Sequence, residues 1–490
     1  MTRQTRREFL ENSMLAATAA ALAGSGICAP ARAAEESSSP NERLRIAVLG
    51  LNGRGQAHLG GFMKRPGCEV VAVCDPDEQV LMNKGVAVVE KATGNKPAFY
   101  QDLRKLLEDK SIDIVTIATP NHWHSLAAIW AIQAGKDVYV EKPVSHNVSE
   151  GRRVVDAARK HGKIVQTGTQ SRSAAGIREL VEFMHAGGIG EVKLARGLCY
   201  KRRKSIGPRG EYQVPASVNY DVWTGPAPMH ALTRPQFHYD WHWQWDYGNG
   251  DLGNQGIHQM DLARWGLGVN DLGQGVISYG GRLGYEDAGE TANTQVSIHD
   301  YGSRTLVFEV RGLETAPLKE AAVGVIFEGT QGYAVMSGKY EGGAVFDPAG
   351  TMVRKFDTGG DHFANFIKAV RSRNIDDLHA DILQGHLSSA LCHLGNISYR
   401  LGDSVNADEV QHRLEQVRQK DEALETFERV KRHLTDNQVD VASARFQFGA
   451  ALAVDGKAET FTGSHSDRAN PLLTREYRKG FEVPASADLV

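Results

Sequence analysis

The 490-residue chain has few cysteines, and their spacing suits neither metal binding nor redox exchange. There are five, none in a Cys-x-x-Cys pair, which excludes a zinc ribbon and a thioredoxin-type motif. Cys74 lies in an apolar, strand-like run, so buried thiols are expected rather than a disulfide framework. A charge excess is also missing. The formal net charge of −3 gives no electrostatic footprint for nucleic acid or an anionic membrane surface. No eighteen-residue unbroken apolar run occurs, so no stable membrane anchor is expected. His-Glu-x-x-His and similar ligand spacings are absent, so His238, His242 and His258 are not expected to hold a metal. What remains is ordinary globular composition, 41% hydrophobic and 23% charged, in a chain too long for one compact core.

The N-terminus reads as an export signal. Thr5-Arg6-Arg7-Glu8-Phe9-Leu10 has the twin-arginine pattern, an apolar stretch runs from Met14 to Ile27, and Ala31-Arg32-Ala33 supplies small residues for cleavage. Cleavage is expected after Ala33, with passage through the twin-arginine machinery to the periplasm or beyond. Ile27 is too bulky to precede a lipid-modified Cys28. Residues 34–43 form a polar linker.

Strand and helix signals then alternate. Leu44–Leu49, Val70–Cys74, Ile112–Ala118, Val138–Val140 and Ile164–Thr167 read as strands. Trp123–Ala134 reads as a helix, and a second, capped by Ser149, runs to Gly162. Continuous apolar strands separated by helices predict a parallel, doubly wound α/β domain over 44–168. Beyond it, Glu191–Tyr200, Gly275–Tyr279, Thr294–His299, Thr305–Val310, Val323–Phe327 and Tyr333–Met336 predict a mostly antiparallel sheet. With helices at Phe363–Val370 and Ile382–Tyr399, this makes an α+β domain over 169–402. In the extension 403–490, apolar residues from Val410 to Leu434 recur at helical spacing. The last fifty residues are expected to wrap another surface.

Gly50-Leu51-Asn52-Gly53-Arg54-Gly55 follows the first strand and opens a helix. Gly50, Gly53 and Gly55 let a pyrophosphate approach the backbone, and the helix N-terminus favours its charge. Asn52 replaces the usual middle glycine and is a residue that tolerates left-handed backbone. Asp75 ends the next strand, where a carboxylate accepts from ribose hydroxyls and repels a 2′-phosphate. NAD is therefore favoured over NADP. Two further strand ends carry Thr119-Pro120-Asn121-His122-Trp123-His124 and Glu141-Lys142-Pro143. Downstream stands Gly250-Asp251-Leu252-Gly253-Asn254-Gln255-Gly256-Ile257-His258, in which Asn254 and His258 share one face if the segment is helical.

These motifs resemble the glucose–fructose oxidoreductase, inositol dehydrogenase and rhizopine-catabolism family (Gfo/Idh/MocA) over about residues 44–402. Glu-Lys-Pro is the most specific mark. The resemblance implies cofactor contacts from Thr119, Pro120, Asn121, His124, Glu141 and Lys142, a Lys142 beside nicotinamide and substrate hydroxyl, an acid/base role for His258, and a proline, here Pro143, that is often cis. It also implies an open sheet that pairs subunits into a homodimer or homotetramer. The family's aspartate falls on Asn254, which positions a hydroxyl but takes no proton. Histidine suits proton removal near neutral pH, and a lysine cation stabilises a developing alkoxide. The aromatic run Phe237–Tyr247, with Trp241 and Trp243, offers either sugar-stacking faces or an interface anchor. Arg172 is expected to reach the site.

The expected function is NAD-dependent hydride transfer on a sugar, polyol or glycoside, with the cofactor retained because an exported protein meets no free NAD pool. The alternatives are an NAD-dependent glycosidase working by transient oxidation and a non-catalytic sugar-binding protein on a Rossmann fold.

Overall fold

The computed structural model describes residues 43–489 apart from Lys339 and Tyr340. The export signal, its Ala33 cleavage site and nearly all of the linker lie outside the described residues. Among the described residues, no helix is long and apolar enough to cross a membrane.

Six parallel strands form the first sheet: β1 (Leu44–Leu49), β2 (Cys68–Cys74), β3 (Ala98–Tyr100), β4 (Ile114–Ile117), β5 (Asp137–Val140) and β6 (Val165–Thr167). Their order is β3-β2-β1-β4-β5-β6. Ile46–Leu49, Ile114–Ile117 and Val138–Val140 are buried on both faces, which is why they read as nearly continuous apolar runs. The chain winds outward from β1 in one direction and from β4 in the other. A crevice therefore opens between the C-terminal ends of β1 and β4, where doubly wound sheets bind ligands. The short strand β3 escaped the sequence reading because its side chains are largely exposed. The helix Val148–Lys160 is capped by Asn147, whose side chain accepts from the Glu150 N–H, and not by Ser149.

The second sheet contains β7 (Val192–Tyr200), β8 (Gly275–Gly281), β9 (Thr294–Asp300), β10 (Thr305–Arg311), β11 (Val323–Gly329), β12 (Gly332–Met336), β13 (Gly343–Phe346) and β14 (Met352–Phe356). It also takes in strands from the extension, beginning with Asp403–Val405 and Phe446–Phe448. Pairing is antiparallel except between β7 and β10. One face is covered by the helices Ala175–His185, Gly256–Leu267 and Ile382–Arg400.

The other face departs from expectation. The apolar pattern from Val410 to Leu434 forms two helices, Ala407–Leu414 and Lys420–Asp436, and neither Pro nor Gly marks the break between them. Val410, Leu414, Phe427, Val430 and Leu434 pack onto Ile277, Tyr279, Val296 and Val307 of the sheet. Glu309 is buried beneath them and accepts from Arg196, Arg311, Arg429 and the Tyr200 hydroxyl. These cations hold its carboxyl well below the usual range despite its burial. The β8–β10 part of the face expected to be open is thus closed by the chain's own extension. In the tail, Phe481, Val483 and Leu489 enter the core of the first domain, with Phe481 5.7 Å from the Trp123 ring. Cys74, Cys199 and Cys392 are buried free thiols.

Candidate active site

A cavity of about 450 Å³ opens at the switch point between β1 and β4. Gly50, Asn52, Gly53, Asp75, Thr119, Pro120, Asn121, His124, Glu141, Lys142, Asn254, His258 and Trp241 all line it. Six separate stretches of sequence therefore converge on one space.

Its floor is the glycine turn. Gly50 has φ +79°, and a Cβ there would sit 2.5 Å from the Ala118 carbonyl oxygen. A Cβ at Gly55 would collide with the Gly50 carbonyl, whereas one at Gly53 would point into open space. That open side is a cradle the approach of a pyrophosphate would fill, at the start of the helix Gly55–Met63. Asn52 does not use left-handed backbone, because its φ is negative. Its side-chain oxygen instead accepts from the Lys84 ammonium.

Asp75 sits on the cavity wall at the end of β2. Its carboxylate accepts from the Leu51 N–H at 2.8 Å and the Asp77 N–H at 3.0 Å, which ties the glycine turn to β2. Burial pushes its pKa up to about 6, against the pull of those two N–H groups. The following residues, Pro76-Asp77-Glu78, add further carboxylates and no cation.

Glu141 lies underneath. It accepts from Arg54 Nε at 2.6 Å and lies 3.2 Å from the buried His58 ring. Burial opposes its ionisation, but Arg54 outweighs it and holds the carboxyl well below the usual range. Gly168 must lack a side chain, since a Cβ would stand 2.7 Å from the Glu141 carboxyl carbon. The Lys142–Pro143 peptide is cis, as the resemblance implies. The His124 ring nitrogens lie 2.6 Å from the Pro143 carbonyl and 2.8 Å from that of Thr119, clamping two strand-end loops together. Asn121 donates to Asn249, and Asn249 to the His146 carbonyl.

Lys142 projects into the cavity and donates to the Asn254 carbonyl oxygen at 2.8 Å. Burial lowers its pKa from 10.5 to about 8; Glu141 opposes the shift, and Arg54 and Lys201 add to it. Burial, then Lys142, holds His258 well below the ordinary histidine value, so its ring is neutral at pH 7. The site thus pairs a cationic hydrogen-bond donor with a neutral imidazole.

Asn254 and His258 do not share a helix. Asn254 sits at the break between Gly250–Gly253 and Gly256–Leu267, with φ −89° and ψ −83°. In a continuous helix its carbonyl would accept from the His258 N–H. That N–H bonds Gln255 instead, and the freed carbonyl holds Lys142.

Two expected substrate residues lie elsewhere. Arg172 is buried outside the cavity and pairs with Asp261 through Nε at 2.7 Å and Nη2 at 2.9 Å, with its guanidinium over Trp265. It braces the helix that carries His258. Trp243 is buried against Ile206 and Ala288 under Arg203, and faces an outer groove. Both residues stand near the site in sequence pattern, but each side chain is drawn away by a stronger local partner. Trp241 alone of the three meets the cavity, stacked on His242 at 3.6 Å.

The aromatic run Phe237–Tyr247 is one part of a longer roof whose remainder, including Trp223, has no signal in the sequence. The segment 201–249 folds back over the cavity and contributes Trp223, His238, Tyr239 and His242 to its lining. It is fastened at several points. His238 lies 2.8 Å from Asp77, the Glu78 N–H bonds Ser217, and the Asn219 N–H bonds Pro76. Trp123 Nε1 and the His122 ring hold the Val222 and Trp223 carbonyls. From outside, Arg478 of the tail grips Asp221. The strap therefore spans the end of the cavity where Asp75 stands.

Comparison with known proteins agrees with this architecture. A family model described as "Oxidoreductase family, NAD-binding Rossmann fold" matches residues 44–169. Its companion, "Oxidoreductase family, C-terminal alpha/beta domain", matches residues 207–434. A glycosyl hydrolase family 109 protein of Shewanella pealeana is 36% identical over 126 residues, 25% of this chain and 27% of that protein. An inositol 2-dehydrogenase of Salmonella typhimurium is 30% identical over 177 residues, 36% of this chain and 50% of that enzyme. The matched region thus spans between a quarter and a half of these relatives. The WlbA dehydrogenase from Chromobacterium violaceum, solved with NADH and UDP-GlcNAcA, shares the fold at TM-score 0.56 and 21% identity, covering 74% of this chain and 95% of that one. With both of its domains matched, the chain belongs to the Gfo/Idh/MocA oxidoreductase family.

Proposed function

We propose that the protein is an exported oxidoreductase that oxidises a hydroxyl of a sugar, polyol or glycoside, keeps its NAD bound from one turnover to the next, and returns the hydride in place to the carbonyl of a second sugar. The observation that carries this reading is the strap 201–249. It lies over one end of the cofactor cavity and is fastened to Asp77, to the helix Asn121–Gln133 and to the tail, an arrangement that would slow the release of a bound dinucleotide.

The residues present fit the cofactor. The open side of Gly53 and the helix start suit the pyrophosphate, and the Asp75 carboxylate suits a ribose diol. The carboxylates of Asp75, Asp77 and Glu78 favour NAD over NADP, since a 2′-phosphate would be brought against them. Bound NAD supplies the hydride acceptor. Lys142, cationic below about pH 8, donates a hydrogen bond to the substrate oxygen and stabilises negative charge developing on it. His258 is neutral, the protonation state in which an imidazole accepts the hydroxyl proton. The Asn254 carbonyl fixes the Lys142 ammonium, and Trp241 offers an apolar face for a sugar ring.

A second reading, redox-neutral cleavage of a glycosidic bond, draws support from relatives that carry a glycosyl hydrolase family name. A retained cofactor suits both reactions. Export rests on the Arg6-Arg7 signal. Assembly into a homo-oligomer would use the outer edge of the second sheet, where Met352 and Val353 of β14 are exposed. One experiment tests the central claim. Natively purified protein is assayed by mass spectrometry for bound nucleotide, then incubated with a sugar and glycoside panel while nicotinamide absorbance is followed. We expect near-stoichiometric NAD and reduction by a subset of the panel. Loss of nucleotide on simple gel filtration would refute retention. Turnover unaffected by Lys142→Ala would refute the chemistry.

A further inference from the structure

We infer that the substrate carries an anionic group, a carboxylate, sulfate or phosphate, on the part that points away from the reacting hydroxyl, and that Arg202 and Lys204 receive it. The inference rests on the reading of the cavity as a sugar site and names the class of sugar.

Strand β7 ends at Tyr200 and runs into four consecutive cations, Lys201-Arg202-Arg203-Lys204. Three of them, Arg202 to Lys204, line a groove of about 480 Å³ on the outer side of the strap. Tyr239 lines both this groove and the cofactor cavity, so the two spaces meet across one side chain. A molecule held at Lys142 and His258 and longer than one ring passes Tyr239 into the groove.

The four cations have different tasks. Arg203 is neutralised within the protein. It forms a bidentate pair with the buried Asp251 at 2.8 and 2.6 Å, lies over Trp243, and donates to the Tyr239 hydroxyl at 2.9 Å. It builds the wall and fixes Tyr239. Lys201 donates to Gln255, and its charge is felt by both Lys142 and His258, so the positive field extends to the reaction centre. Among the described residues Arg202 has only Glu314 at 3.2 Å, and both side chains are more than two-thirds exposed, an arrangement that binds weakly and exchanges readily. Lys204 has no hydrogen bond or ion pair with any described residue. Lys204 therefore faces the groove with its charge uncommitted, and Arg202 with its charge held only by an exposed, exchangeable pair.

The groove has one carboxylate in its lining, Asp240. Burial pushes its pKa up to about 6, so at neutral pH it is still largely ionised and offsets one of the three cations in the lining, leaving the groove net positive. Neutral sugars are held by hydroxyl-matching polar groups and aromatic faces. Two such cations, one unpaired and one loosely paired, add nothing to that, but they attract and orient an anion. Tyr239 is half exposed and is held at φ +69°, a conformation rare for a non-glycine residue and concentrated at ligand sites.

The test uses the holoprotein and calorimetric titration with four matched probes: a neutral disaccharide, and the same disaccharide with its distal primary hydroxyl oxidised to a carboxylate, sulfated or phosphorylated. The expected result is at least one anionic probe binding about tenfold tighter than the neutral one at low ionic strength, with the preference shrinking as salt rises. The rank of the three anions identifies the group. In the double variant Arg202→Ser, Lys204→Ser, the anionic probes should fall to the level of the neutral one. Equal affinities in the wild type, no binding of any probe, or a preference that survives the double variant would each overturn the inference. Nicotinamide absorbance is recorded in the same samples. Binding with an anionic preference but no absorbance change would count against the redox reading alone.

Discussion

Raising the pH through 8 should switch off the charge that stabilises the reacting oxygen. Lys142 is displaced from 10.5 to about 8, a differential of about 3 kcal/mol between its two protonation states at 1.36 kcal/mol per unit. Burial disfavours its cation, and the neighbouring charges of Arg54 and Lys201 reinforce that against Glu141. His258 stays neutral across the same range and adds no break of its own. The measurement is single-turnover reduction of bound nicotinamide by saturating sugar, between about pH 6 and 10. The rate should be flat to near pH 7.5, bend at about 8, then fall about tenfold per unit. Lys142→Arg keeps a charge at every pH and should lose the falling limb, whatever its absolute rate. Lys142→Ala should lose the limb and about 10²–10³ in rate, the usual cost of deleting a donor aimed at developing negative charge. A wild-type rate that climbs through pH 8 would make the neutral amine the base and refute this assignment. A limb that persists in Lys142→Arg would place the titrating group elsewhere.

Three further outcomes are expected. Asp75→Asn keeps an acceptor but removes the charge, so the preference for NAD over NADP measured on apo-protein should fall about tenfold; an unchanged ratio would remove Asp75 from cofactor choice. His238→Ala breaks the strap's contact with Asp77 and should speed cofactor release severalfold in a fluorescence chase, whereas an unaltered off-rate would mean the strap does not gate it. Arg172→Ala strands the buried Asp261 carboxylate and should cost about 3–5 kcal/mol of stability in denaturant titration. If its main effect were instead a raised sugar KM at unchanged stability, Arg172 would be a substrate contact after all.

Much of the site was legible because it depends on local backbone rules. Gly50 needs positive φ, Gly55 needs the absence of a Cβ, and both stand directly after an apolar strand. Asp75 and Glu141 were legible for a related reason: they end strands, and strand ends in a doubly wound sheet converge. The relation of Asn254 to His258 was misread because four-residue spacing implies a shared face only if the helix is continuous. A carbonyl drawn to Lys142 interrupts it. Arg172 and Trp243 were misplaced because sequence shows that a residue is near a motif, not which partner captures its side chain.

By itself, then, the sequence determined the parallel domain, the antiparallel one after it, the glycine turn and the residues that line the reacting end of the cavity. Each follows from short-range periodicity, turn stereochemistry or strand termini. Only the tertiary structure decided that 201–249 roofs the cofactor cavity, that the helices Ala407–Leu414 and Lys420–Asp436 close part of the expected open face, and that Arg202 and Lys204 stand beside the route past Tyr239. Those features depend on contacts between residues tens to hundreds of positions apart, such as His238 with Asp77 and Arg478 with Asp221. No periodicity encodes such pairings; they are fixed by which surfaces remain to be buried once the two sheets have formed.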